Sequence, residues 1–157
     1  MTQPSQPAPR ARVLLIDRDP MVRAALTRML DRTSDLFCIE AIDSSQGLLA
    51  HVQRTRADAV VIRMGPKPTQ DLEAIRALAD SPASVPLLAC PDSPGPTALR
   101  DALTAGAAAI VTTADEPSTV LLAIREALAG NPFIAPKAAE LLGAPAAQVP
   151  GCPPNMR

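Results

Sequence analysis

Five short apolar runs alternate with five stretches of helical period, and this alternation constrains the fold more than any other feature of the chain. The runs are Val13-Leu-Leu-Ile16, Leu36 to Ile42, Ala59 to Ile62, Pro86 to Cys90, and Ala107 to Thr112. After each comes a set of apolar positions at helical spacing. The first set is Val22, Leu26, Met29 and Leu30, and the second is Leu48, Leu49 and Val52. Leu72, Ile75 and Leu78 form the third, Leu99 and Leu103 the fourth, and Leu121, Ile124 and Leu128 the fifth. Pro20 and Pro117 suit the first turn of a helix, and Ser44 or Ser45 suits the cap of the second helix. Gly106 suits a helix end, as does Gly130 followed by Pro132. Strand and helix repeated in this way imply a parallel sheet with helices on both faces, because the crossovers are right-handed.

The expected class is therefore α/β, a flavodoxin-like doubly wound sheet of five parallel strands in the order 2-1-3-4-5. In such a sheet ligands meet the carboxyl ends of the first and third strands. Those ends fall at Asp17 and Arg63. Arg63 closes the run Ala57-Asp-Ala-Val-Val-Ile-Arg63, a buried-strand pattern with an abrupt polar stop. A fold of this kind that accepts phosphate there needs a carboxylate nucleophile. Arginine stays protonated and offers no acceptor atom, so Arg63 cannot serve. No Gly-x-Gly-x-x-Gly turn follows the first run, which leaves dinucleotide binding without support.

Composition narrows the function classes. The 157 residues suffice for one domain with a real core. With neither Trp nor Tyr, and Phe37 and Phe133 as the only aromatics, that core must be aliphatic. A formal net charge of −1 gives no basic nucleic-acid footprint. No apolar stretch reaches the roughly 20 residues of a membrane span. The Pro- and Gln-rich start lacks the apolar core of a signal peptide, so a cytoplasmic location is expected. Cys38, Cys90 and Cys152 match no metal-ligand spacing and read as free thiols. His51, beside Leu48 and Val52, reads as a structural histidine. No nucleophile-base pair or metal cluster is visible, so no enzyme, metal or cofactor is expected.

These residues together resemble a response-regulator receiver domain, most like those of NarL/FixJ-type transcription regulators, from about Arg12 to Leu142. The resemblance rests on Val13-Leu-Leu-Ile-Asp-Arg-Asp-Pro-Met-Val-Arg23, Ala57-Asp-Ala-Val-Val-Ile62, Asp71-Leu-Glu-Ala-Ile-Arg-Ala-Leu78 and Ala102-Leu-Thr-Ala-Gly-Ala107. Leu121-Leu-Ala-Ile-Arg-Glu-Ala-Leu-Ala-Gly130 followed by Phe133-Ile-Ala-Pro136 is similar to that subfamily's final helix and linker. The resemblance implies a CheY-like fold, and in an active member a phosphoacceptor aspartate, an acidic pair for Mg²⁺, a hydroxyl residue and a lysine. Carried over position by position, Asp17 matches the first acid, while Arg18 stands for the second and Arg63 for the phosphoacceptor. Pro91 stands for the hydroxyl residue and Thr113 for the lysine. Ile110 stands where a switch aromatic is common. The pocket so defined, Asp17, Arg18, Asp19, Arg63, Pro91 and Thr113, keeps the scaffold's positions without the chemistry. Arg63 is expected either to pair with Asp17 or Asp19 or to extend into solvent.

The reading is an atypical, phosphorylation-independent receiver, a non-enzymatic pseudo-receiver acting through protein contacts in signal transduction and transcription control. Two alternatives stay open: the regulatory part of a helix-turn-helix DNA-binding regulator, and a small-ligand sensor with the loop Pro91 to Pro96 as one wall. The expected organisation is a disordered arm over 1–11, the receiver-like domain over 12–130, and a linker-like, mostly disordered tail over 131–157. Pro136 to Leu142 suits a short helix within that tail. Partners are expected to be another protein or a second copy, with no direct nucleic-acid contact. The expected surface is the last helix, where Leu121, Ile124 and Leu128 cover the sheet and leave Val120 or Leu122 outward.

Overall fold

Val13 to Ile16 are buried because helices cover both faces of the strand they form. The computed structural model describes residues 9–93 and 95–143. Its first strand, β1 (Ala11–Ile16), starts ahead of the apolar run, since Ala11 and Arg12 pair with Leu36 and Phe37. Then follow α1 (Pro20–Asp31), β2 (Leu36–Ile42), α2 (Leu48–Thr55), β3 (Ala59–Met64) and α3 (Thr69–Asp80). The second half comprises β4 (Leu87–Pro91), α4 (Pro96–Ala105), β5 (Ala109–Ile110), α5 (Pro117–Leu128), β6 (Phe133–Ile134) and α6 (Pro136–Leu142).

The strands form one parallel sheet in the order β2-β1-β3-β4-β5-β6. The doubly wound class and the order of the first five strands agree with expectation, but the count does not: there are six strands. A two-residue run bracketed by Pro132 and Pro136 carries no period of its own. It becomes a strand because β5 offers an open edge. Phe133 N–H donates to Ala108 O at 3.2 Å and Ala135 N–H to Ile110 O at 2.9 Å. Phe133, Ala135, Ala138 and Ala139 are buried, so the folded unit runs through α6 rather than stopping at residue 130. Residues 1–8 and 144–157, where most of the arm and the rest of the tail were expected, lie outside the described residues.

Alternation along each strand sorts the core into two layers. On one face Leu14, Ile16, Val60, Ile62, Ala89 and Ile110 meet Leu48 and Val52 of α2, Ile75 and Leu78 of α3, and Leu99 of α4. On the other face Val13, Leu15, Val61, Leu88 and Val111 meet Leu30 of α1 and Ala123, Ile124 and Ala127 of α5. Gly106 ends α4 with φ +119°, and a Cβ there would come within 2.5 Å of Ala79 Cβ. Glycine thus answers both a left-handed backbone and the close approach of α3.

The fifth strand is shorter than its apolar run. In the observed register Val111 N–H donates to Ala89 O at 3.1 Å, and Leu88 and Ala89 pair with Ala109 and Ile110. The next rung calls for an N–H from residue 91. Pro91 has none, so the ladder stops.

Candidate functional site

The carboxyl ends of β1, β3 and β4 bring the charged residues together. Asp17 directly follows β1, and its N–H donates to Ile42 O at 3.0 Å, which extends the ladder one step beyond the strand. It is 3% exposed. Its Oδ1 accepts from Asp19 N–H at 2.9 Å, and its carbonyl accepts from Arg23 Nη1 at 2.6 Å. Its Oδ2 is buried and accepts no hydrogen bond. The nearest cation to that oxygen is Arg63 Nη1, 3.7 Å away, a charge contact beyond hydrogen-bond length.

Arg63 spends its hydrogen bonds elsewhere. Its Nη2 and Nε donate to Asp92 Oδ1 at 2.7 and 3.1 Å. Register explains the pairing: Arg63 lies opposite Cys90, and Asp92 N–H donates to Met64 O at 2.8 Å, continuing the β3–β4 ladder. The aspartate therefore arrives on the arginine's face, one pleat on. The hydrogen bond to Asp92 raises the guanidinium's pKa still further. Arg63 thus pairs with Asp17, one of the two partners expected, but its firm partner is Asp92. The outward, unpaired alternative does not occur, and Asp19 is not involved. Asp19 caps α1 instead, accepting from Met21 N–H at 2.8 Å and Val22 N–H at 3.4 Å.

Arg18 turns to a different carboxylate. Its half-exposed guanidinium lies against Gly65, and its Nη2 is 3.9 Å from Asp71 Oδ2. Asp71 is 5% exposed. It accepts from Ser45 Oγ at 2.6 Å and from Gly65 N–H at 3.1 Å. Ser45 is therefore a buried tie to α3 and not the cap of α2, whose N-cap is Gly47. Ser44 Oγ accepts from Gln46 N–H at 3.1 Å, also short of the helix.

Pro91 is buried at the end of β4, and Thr113 is exposed past β5. The neighbouring Thr112 is buried, and its N–H and Oγ1 donate to Asp115 Oδ2 at 2.8 and 3.0 Å. Cys90 faces the same region, and burial pushes its thiol up to about 12 despite the opposing pull of Arg63. Burial also raises the Cys38 thiol. His51 lies 3.8 Å from Glu40 on the half-exposed side of α2, away from the pocket. Among the described residues, no group of three or more His, Cys, Asp or Glu is placed to hold a metal ion.

Asp17, Arg18, Asp19 and Arg63 do gather at one end of the sheet, with Pro91 and Thr113 at its rim. The partners of Asp92, Asp71 and Ser45 escaped the sequence reading, because β3–β4 register brings Asp92 to Arg63 and packing of the α2 and α3 ends brings Ser45 to Asp71. On α5 the core positions are Ala123, Ile124 and Ala127. Val120, Leu121 and Leu128 are half-buried and Leu122 is 48% exposed. The expected trio does cover the sheet, with Ile124 in the core and Leu121 and Leu128 packed against its edge, and the buried alanines Ala123 and Ala127 join them. Leu122 is the outward residue. Val120 packs inward, and α5 is the penultimate helix rather than the last.

No family model matches the sequence. Over 134 residues the chain is 32% identical to the response regulator GacA of Pseudomonas viridiflava, covering 83% of this chain and 61% of that protein. It is 31% identical over 134 residues to GacA of Pseudomonas syringae pv. syringae, with the same coverage. The chain thus spans about three fifths of the length of the curated relatives it matches. These relatives are response regulators, which are signalling proteins rather than enzymes. Among solved structures, a two-component response regulator of the LuxR family from Aurantimonas sp. SI85-9A1 superposes with a TM-score of 0.76 at 25% identity, covering 86% of this chain and 96% of that one. The isolated REC domain of RcsB from Salmonella enterica serovar Typhimurium superposes at 0.74 and 17% identity, covering 85% and 99%, and shows the shared fold. The folded unit from β1 to α6 has the fold of a response-regulator receiver domain.

Proposed function

We propose that this receiver signals without accepting a phosphoryl group, and acts through protein contacts in a two-component, transcription-regulating setting. The observation that carries the reading is Arg63 at the carboxyl end of β3, hydrogen-bonded to Asp92 and 3.7 Å from Asp17 Oδ2. A guanidinium there supplies a permanent positive charge among the carboxylates, where phosphotransfer would bring a metal ion. Mg²⁺ demands near-octahedral oxygen ligation at about 2.1 Å. Asp17 offers one carboxylate, half used by Asp19 N–H, with Arg63 beside the other half and Arg18 in place of a second acid. These residues do not suit the metal. Incubation with acetyl phosphate and Mg²⁺, read by intact mass, is expected to leave the mass unchanged. A stable phosphoryl adduct at Asp17 or Asp19 would sink the proposal.

The contact surface proposed is α5, with Leu122 as its exposed apolar residue. Sedimentation of the wild type and of Leu122→Glu tests it. Association lost in the variant supports the surface. Monomers in both cases, with partner capture unchanged, remove it. A second reading has this domain as the regulatory part of a longer helix-turn-helix DNA-binding regulator. It is favoured by the curated relatives, each of which has about two fifths of its length outside the matched stretch. The RcsB fold neighbour has been solved as dimers bound to DNA. Full gene length and an operator-binding assay decide between the two readings.

A further inference from the structure

A cleft of about 280 Å³ opens between the sheet and the helices α1 and α5. Its walls are mainly aliphatic: Leu15 and Val111 from the sheet, Val22 and Leu26 from α1, and Pro117 and Val120 from α5. Val22, Leu26 and Val120 are only half-buried, so the cleft is reached from solvent between the helices. It is a different place from the Pro91–Pro96 wall expected of a ligand sensor.

Its charged lining is Asp17, Asp115 and Arg63. Asp115 is spent: Oδ2 accepts from Thr112 and Oδ1 from Lys137 N–H at 3.3 Å. Arg63 is held by Asp92, outside the cleft. Asp17 alone keeps open capacity, because its Oδ2 is buried without a hydrogen bond. A buried carboxylate oxygen left this way is costly and is normally satisfied. The lining carries two negative charges against one positive, so the group that satisfies it should be a cationic donor.

We propose that the cleft binds a compact apolar amine, its hydrocarbon body between α1 and α5 and its ammonium donating to Asp17 Oδ2. Arg63 yields at its loose 3.7 Å contact with Asp17 and stays anchored on Asp92. The inference rests on the phosphate-free reading, since a phosphorylated or metal-loaded site would claim the same carboxylate. Binding at this point would couple a small molecule to α5, the proposed contact surface.

The test uses the full chain, with tryptamine and indole-3-propionate as test ligands of similar body and opposite charge. Tryptamine is expected to give saturable amide shifts at Asp17, Val22 and Thr112, and to bind about tenfold more tightly than the carboxylate. Asp17→Asn should lower tryptamine affinity about tenfold. Val120→Phe, which fills the cleft, should block both ligands. Absent or scattered shifts, equal binding of the two ligands, or unchanged binding in Val120→Phe would overturn the proposal. A phosphoryl adduct in the mass assay with tryptamine binding intact overturns the phosphate-free reading alone. An unchanged mass with no tryptamine binding overturns this inference alone.

Discussion

Arg63 bridges two carboxylates of unequal kind, a half-exposed Asp92 at 2.7 Å and the buried Asp17 at 3.7 Å. The first pairing orients the guanidinium, and the second offsets a charge that has left water. Removing the guanidinium leaves Asp17 Oδ2 without a nearby cation, a loss larger than that of a surface pair. Arg63→Leu is expected to destabilise the fold by about 1–2 kcal/mol, read as a lower urea midpoint. An unchanged midpoint would mean that Asp17 is compensated from elsewhere. Arg63→Asp alone is expected to leave the acetyl phosphate assay negative, since Arg18, Pro91 and Thr113 still lack the phosphotransfer chemistry. Cys90 gives a second test at this scale. With its thiol pushed up to about 12, its thiolate fraction at pH 8 is about one in ten thousand. Iodoacetamide labelling of Cys90 should be very slow in the folded chain and rapid in guanidinium, as peptide mapping would show. Arg63 and Asp17 were legible as site residues because each ends an apolar run. Asp92 was not, because its meeting with Arg63 depends on how β4 registers against β3.

At the scale of elements, one buried hydrogen bond joins the loop before α2 to the first turn of α3. Ser45 Oγ and Gly65 N–H both donate to Asp71. The acidic residue also sits in the first helical turn, where the helix dipole favours it. Ser45→Ala removes a donor and leaves Asp71 Oδ1 buried without one. The expected cost is about 1–3 kcal/mol, measured by denaturant unfolding. A loss below about 0.5 kcal/mol would show that water takes the serine's place. The sequence placed Ser45 near a helix start correctly and assigned it the wrong partner. A serine beside a helix reads as a cap by local rules, and no local rule points to an aspartate 26 residues away.

Over the whole molecule, the sheet is completed by a segment beyond the last long helix. β6 covers the open edge of β5, and α6 lays Ala138 and Ala139 into the core. Phe133, 4% exposed, is the anchor of this closure. Phe133→Ala is expected to cost about 3 kcal/mol or more and to lower the melting temperature by several degrees. Loss of stability below about 1 kcal/mol would mean that β6 is attached weakly. The salt bridge of Arg125 to Asp35, which ties α5 to the start of β2, lowers the Asp35 carboxyl below its ordinary value. Its contribution is present above the unfolded carboxylate pKa and fades as the pH falls through the lowered one, below about pH 4. Both groups are largely exposed, so Arg125→Ala should cost no more than about 1 kcal/mol at neutral pH. The same variant should show a smaller acid-induced loss of stability than the wild type.

The alternation of apolar runs and helical periods determined the layers, the parallel sense and the order of the first five strands. Both periodicities are local, and right-handed crossovers leave few other arrangements. The same local pattern placed Asp17 and Arg63 at the ligand edge. Tertiary structure decided what short or aperiodic segments do. Phe133 and Ile134 pair only because β5 presents unpaired backbone groups. The rung opposite Pro91 fails only because register brings a residue without an N–H to it. Asp92, Asp71 and Ser45 join the site through contacts 26 to 29 residues long in sequence. Such contacts follow from the packed sheet, whose register no single segment specifies.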